Sequence, residues 1–322
     1  MTSREIVRRS LYFGSPSRLP VNFPDGYGND FYQIDLDPPP DARRNRGTDE
    51  WGCVWDCLSE GVLGEVVDHP LKSWDDFKLL NIPDVKDESR YGPVKTARRE
   101  AGDKYVLLSI SSIYERVHFL RGVEDTWIDL MESPDKITML VGLLADMNTY
   151  IIRHCSRYGV DGILMGDDWG LQNRLMINPE LWREIWKPAY KRIFGEAHSA
   201  GMDVFFHSCG YIVDILDDLI EVGLNAIHMD QQENMGLENL GARFGGRITF
   251  FAPVDIQKTM VLGSAAQVRD YCRDMFKYLC KGSFGLIPRW YGDPVAAGHS
   301  EENLGAMCSE FLKIIEERRK KF

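Results

Sequence analysis

The sequence predicts an α/β fold, a closed (β/α)8 TIM barrel with an N-terminal loop-rich extension, as one domain spanning residues 1–322. Three observations carry this expectation. From about residue 104 onward, short apolar runs alternate with stretches of helical period, the pattern of a parallel sheet buried on both faces. That regular part supplies about six βα units, and the first hundred residues leave room for the others. The competing arrangement is a doubly wound open sheet, but no G-x-G-x-x-G follows a strand and no Walker sequence is present.

The elements follow in order. Thr2 and Glu5 have capping-box spacing, which predicts a first helix over 3–13. Residues 14–50 are rich in Pro, Gly, Asp and aromatics and read as long loops, apart from a possible strand in RLPVNF (18–23). PLKSWDDFKLLNIPD (70–84) reads as a short helix closed by Pro83. The expected strands are YVLLSI (105–110), DGILMG (161–166), MDVFFH (202–207), NAIHM (225–229), RITFFA (247–252) and FGLIP (284–288). Helices are expected over 134–158, 179–200, 211–222, 236–244, 265–281 and 300–320. The second has Asn178 as N-cap, Pro179 at the first helical position and Gly201 just past its end.

Composition narrows the function. Hydrophobic residues make up 44% of the chain, enough for a sizeable core. A formal net charge of −11 argues against nucleic acid and against an anionic membrane surface. No apolar run reaches the roughly 18 residues of a membrane span, and the charged start MTSREIVRRSLYFG is unlike a secretory signal. The seven cysteines are scattered, which fits reduced thiols and an expected cytoplasmic location. Cys53 and Cys57 are spaced C-x3-C, but no matching second pair completes a metal site.

In a barrel the active site lies at the carboxyl ends of the strands. Four of the six expected strands end in polar residues. These are Asp167, Asp168 and Trp169; His207 and Cys209; His228, Asp230 and Glu233; and Arg289, Tyr291 and Asp293. Strand side chains alternate faces, so His207 and Cys209 point the same way and can reach one ion. Zinc accepts imidazole and thiolate together. The alternative is a capped strand end with a buried free thiol. Asp167 and Asp168 suit acid–base work or, equally, the capping of a helix. Trp169, Gln172, His228, Arg289 and Tyr291 are the expected substrate contacts, the aromatic loop 21–33 an expected cover, and His299 a loop residue.

The stretch MGDDWGLQNRLMINPELWREIWKPAYKRIFGEAHSAGMDVFFHSCG, followed by FAPVDIQ, resembles the uroporphyrinogen decarboxylase superfamily. SREIVRRSLYFGSPSRLPV resembles that family's first helix and strand, and DEWGCVW with DHPLKSWDDF fits its less decarboxylase-like members. The resemblance implies a (β/α)8 barrel and one of two chemistries. The decarboxylases carry an arginine-bearing loop near the N-terminus, where this chain reads PVNFPDGYGNDFYQ. The zinc methyltransferases carry H-x-C…C, whose first half His207 and Cys209 match. No cysteine follows the last strand, so Asp293, His228 or Glu233 is expected as third ligand, with Cys280 and Cys308 placed elsewhere. The resemblance thus implies a methyltransferase that moves a methyl group between a small O-, S- or N-methyl compound, or an acceptor thiol, and a separate corrinoid protein. Zinc would be its Lewis acid and Asp167, Asp168 and His207 its catalytic groups; a homodimer is a further expectation. A metal-free decarboxylase or a noncatalytic ligand-binding barrel are the other readings.

Overall fold

The computed structural model describes residues 1–38, 46–57, 64–281, 284–292, 294–295 and 297–319. Its strands are β1 (Phe31–Ile34), β2 (Gly47–Thr48), β3 (Val54–Asp56), β4 (Glu65–Asp68), β5 (Tyr105–Ser109), β6 (Gly162–Gly166), β7 (Asp203–His207), β8 (Ala226–His228), β9 (Thr249–Ala252) and β10 (Leu286–Pro288). Its α-helices are α1 (Ser3–Leu11), α2 (Gly92–Ala101), α3 (Tyr114–Arg121), α4 (Val123–Glu132), α5 (Pro134–Cys155), α6 (Pro179–Ser199), α7 (Val213–Glu221), α8 (Leu237–Phe244), α9 (Thr259–Leu262), α10 (Ala265–Leu279) and α11 (Glu301–Arg319). None of the described helices is long and apolar enough to cross a membrane.

The main sheet has seven parallel strands in the order β1-β5-β6-β7-β8-β9-β10 and curls into a barrel-like form. Among the described residues a fully closed eight-stranded barrel is not formed. The expected strand 18–23 contributes only isolated bridges, from Asn22 to Arg289 in parallel and to Asn29 in antiparallel sense. Asn22 donates to the Pro288 carbonyl at 2.9 Å and accepts from the Trp290 N–H at 3.0 Å. Pro20 precedes Val21, and Pro24 follows Phe23, so this segment has little ladder to offer. Of the expected covering loop 21–33, Val21, Phe23 and Phe31 are buried in the core, the tip from Asp25 to Gly28 is largely exposed, and its end is β1.

Side-chain alternation divides the core into two layers. Tyr105, Leu107, Phe205, Ala226, Phe251 and Ile287 point inward and pack with Phe31. Val7 and Leu11 of α1 join this inner cluster. The helix is held by its predicted capping box and plugs the amino-terminal end of the sheet. There Tyr12 and Tyr105 both donate to the Asp203 carboxylate, at 2.6 and 2.8 Å. The intervening residues, such as Val204 and Phe206, face the outer helices.

The antiparallel sheet β2-β3-β4 was not expected from the sequence. Its strands are two to four residues long and largely exposed, below what a period-two pattern reveals. It is tied to α3 by a buried ion pair, Arg116 Nη1 to Asp49 Oδ2 at 3.1 Å. The same carboxylate accepts from the Trp51 and Cys53 N–H groups and from Trp55 Nε1. Cys53 donates its thiol to the Phe119 carbonyl, and burial pushes that thiol up to about 12. All seven cysteines are free, and neither Cys53 nor Cys57 enters a group of metal-type ligands among the described residues. The short helix expected over 70–84 is a 3-10 helix, Trp74–Leu79.

Candidate metal centre

Reading β7 along its inward face gives Asp203 at the bottom, Phe205 in the inner cluster and His207 at the top. The register then pairs Gly166 with His207, His207 with His228, and His228 with Phe251. Two imidazoles are thereby set side by side, their ring centroids 4.3 Å apart.

Beyond the strand ends, the loops after β6 and β7 continue to hydrogen-bond. Asp167 N–H donates to His207 O at 3.0 Å, Gly170 N–H to Cys209 O at 3.1 Å, and Tyr211 N–H to Leu171 O at 2.8 Å. Trp169 N–H donates to Ser208 Oγ at 3.1 Å, and Gly210 N–H to Gln231 Oε1 at 2.8 Å. So close an approach leaves no room for side chains. A Cβ on Gly170 would lie 2.3 Å from Tyr211 N, and one on Gly210 would lie 2.1 Å from Gly170 O. Gly210 also has φ +74°, a left-handed conformation that glycine adopts without strain.

This seam carries Asp168 across to the H-x-C pair. Its Oδ1 accepts from Cys209 N–H at 2.9 Å and lies 3.3 Å from His207 Nε2. Cys209 Sγ lies 3.4 Å from the same nitrogen. The donor atoms of Asp168, His207 and Cys209 all fall within 4.8 Å of one another. Tetrahedral zinc, with bonds of about 2.0–2.3 Å, sets neighbouring donors roughly 3.3–3.8 Å apart. The spacing and the O, N, S donor set therefore fit zinc. A second observation agrees: His207 Nδ1 is buried with no hydrogen-bond partner among the described residues, and Nε2 is the nitrogen that Asp168 and Cys209 approach. Burial alone would lower the His207 pKa, but Asp168 and Cys209 hold it well above the ordinary value. Burial raises the Cys209 thiol, opposed by His207.

His207, His228 and Asp230 form a second close group. Its donors are already engaged by Arg289, which donates to Asp230 Oδ1 at 3.0 Å and contacts His228 Nε2. Burial and that guanidinium push His228 down to about 3, so it is neutral near pH 7. Asp230, though buried, is held below the ordinary carboxylate range by His228 and Arg289. A cation already sits here, which disfavours a metal ion at the same point.

The remaining expected residues are placed as follows. Asp167 is fully buried and accepts from the Ile113, Tyr114 and Glu115 N–H groups and from Tyr190 Oη. It caps α3 from another element, where the local sequence provides no side-chain cap. Trp169 is also fully buried, stacked on Tyr114 at 3.7 Å and donating to Tyr190 Oη, so it is core and not pocket wall. Gln172 is exposed. Tyr291 is partly buried and feels the charges of Asp230, Cys209 and His207. Glu233 is exposed, bonded by Tyr271, and outside both groups of donors. Asp293 lies outside the described residues. His299 is the expected loop residue, held at the Ile256 carbonyl. Sequence reasoning missed Gln231, which pins Gly210, and gave Asp168 no place among the ligand candidates. Asp168 follows directly on a strand end, but only the seam between two loops reveals where it points.

Residues 58–308 match the family model described as uroporphyrinogen decarboxylase (URO-D). No curated protein matches the chain. Among solved structures, a methyltransferase from Methanosarcina mazei is 14% identical, with a TM-score of 0.70, over 98% of this chain and 99% of that one. That likeness is one of fold. A D-psicose 3-epimerase from Clostridium cellulolyticum H10 is 12% identical, with a TM-score of 0.42, over 71% of this chain and 83% of that one. A 2,3-dimethylmalate lyase is 13% identical, with a TM-score of 0.41, over 99% of each chain.

Proposed function

The chain belongs to the uroporphyrinogen decarboxylase family, and from that premise we propose that it is a zinc-assisted methyltransferase. The methyl group would pass between a small O-, S- or N-methyl compound, or an acceptor thiol, and a corrinoid carried by a separate protein. The observation that carries this reading is the cluster of Asp168, His207 and Cys209 at the open end of the sheet. These three would hold the zinc, with Asp168, from the loop after β6, as third donor instead of the second cysteine of H-x-C…C. When bound, zinc supplies Lewis acidity to the heteroatom that carries or receives the methyl group.

The chain's own groups prepare that site. Cys209 N–H and the loop seam fix the Asp168 carboxylate before any ligand arrives. Burial and the neighbouring Arg289 guanidinium keep His228 neutral beside His207, against the pull of Asp230, so the second imidazole adds no charge there. Tyr291 stands at the same mouth as a partly exposed hydroxyl. Asp167 acts at one remove, by capping α3 and holding the start of the Asp168 loop.

The alternative, metal-free decarboxylation, needs Arg289 to grip a substrate carboxylate. That guanidinium is already paired with Asp230 and in contact with His228, which leaves it poorly suited to the task. Methyl transfer is tested with reduced cobalamin, added zinc and a panel of small methoxy, methylthio and methylamino compounds. Wild-type turnover should require zinc, and His207→Ala should abolish it. Equal turnover in the variant would remove the proposal.

A further inference from the structure

A cavity of about 780 Å3 opens beside Asp168, between α3, α4 and the small sheet. None of the residues assigned to the metal except Asp168 lines it. Its wall contains three aromatic side chains, Trp55, Phe119 and Trp127. Trp55 and Phe119 meet edge to face at 4.9 Å, and Trp127 is fixed through its Nε1–H to Tyr114 Oη at 3.2 Å. Its charges are mostly negative. Besides Asp168, the carboxylates are Glu65, Glu115, Glu124 and Asp125, and Arg121 is the one guanidinium among the described lining residues. Arg121 is itself held between Asp125 and Asp129, at 2.9 and 2.8 Å. Aromatic faces and a surplus of carboxylate attract a cation and repel an anion.

A separate feature points to a ligand with an N–H group. His118 lines the same cavity, is 9% exposed, and its Nε2 is buried with no hydrogen-bond partner among the described residues. A buried polar atom left in this state is uncommon and calls for an explanation. Burial pushes His118 down to about 4, so the ring is neutral near pH 7 and can accept a hydrogen bond at one nitrogen. A protonated amine satisfies both features, with its charge among the carboxylates and an N–H toward the imidazole.

We propose that this cavity is the specificity pocket for a protonated alkylamine group of the substrate, seated among Trp55, Phe119, Trp127 and His118. The identification of the occupant as substrate rests on the methyltransferase reading; the cavity's preference for an ammonium group does not. The pocket holds one end of the substrate, and the methyl-bearing or methyl-accepting heteroatom reaches past Asp168 toward the metal ligands. A substrate whose only polar group is a carboxylate is excluded.

The test uses three probes that share an alkyl chain and differ in their heads: n-butylammonium, 1-butanol and butanoate. Binding to the full-length protein is measured by titration calorimetry at low ionic strength, with and without bound zinc. Butylammonium should bind about tenfold more tightly than butanol, and butanoate should not bind. Trp127→Leu and Glu124→Gln, both at exposed positions of α4, should each weaken butylammonium by about threefold or more while leaving thermal unfolding unchanged. Equal affinity for the alcohol, preference for butanoate, or no effect of either variant would overturn the proposal. Because binding is read without turnover, ammonium preference in a protein that takes up no zinc would sink the metal reading and leave the pocket standing. Zinc uptake without ammonium preference would do the reverse.

Discussion

Single side chains settle most of the chemistry at this site. Asp167 and Asp168 are adjacent and chemically identical, yet one caps a helix in the core and the other faces the H-x-C pair. No pattern in GDDWG separates them, because the difference lies in which loop each meets after the strand ends. His207 and Cys209, by contrast, were legible from period two and from the polar end of an apolar run. His118 carries a prediction of its own. It is stacked edge-on to Tyr114 at 4.0 Å, and burial, with a smaller contribution from His69, lowers its pKa from 6.5 to about 4. The unfolded chain therefore binds the proton in a range where the folded chain does not. Stability from this residue is fully present above about pH 6.5 and is lost as pH falls toward 4, to the extent of roughly 3 kcal/mol. Urea unfolding at pH 7 and pH 4.5 should show a smaller acid loss for His118→Phe than for wild type. Equal losses would contradict the assignment of a buried, neutral imidazole.

Elements are best understood by what anchors them. The helices with clear start signals, such as α6 with Asn178 and α10 with its Ser264–Gln267 capping box, stand where the sequence puts them within one or two residues. β1 and the small sheet were illegible, since short strands within a loop-rich stretch leave no periodic trace. What holds the small sheet is tertiary: Asp49 collects Arg116, two backbone N–H groups and the Trp55 indole. Asp49→Ala takes this carboxylate away from a buried guanidinium and should cost about 3–5 kcal/mol in denaturant unfolding. It should also loosen the wall of the cavity beside Asp168 and leave zinc content unchanged, because the metal-type donors sit on other elements. A loss under about 1 kcal/mol would show that the ion pair does not anchor the sheet.

At the scale of the whole molecule, a curled parallel sheet gathers the ends of β6, β7, β8 and β10 around one mouth. The alternation of apolar runs and helices foretold that gathering, and with it the end of the molecule to inspect. It did not foretell that the segment 18–23, with Pro20 inside it and Pro24 just after it, would contribute isolated bridges and no eighth strand. Nor did it foretell that Asp168 would complete the O, N, S donor set, since that depends on the seam between two loops distant in sequence. The central claim is that this set binds zinc. It is tested most directly by the zinc content of protein purified without a metal-binding tag or chelator, for wild type, Cys209→Ala and Asp168→Asn. The asparagine still accepts from Cys209 N–H, so the seam is retained while the charged ligand is lost. About one zinc per chain is expected in wild type, none in Cys209→Ala and a marked fall in Asp168→Asn. Wild-type protein that takes up no zinc, or full zinc content in both variants, would contradict it.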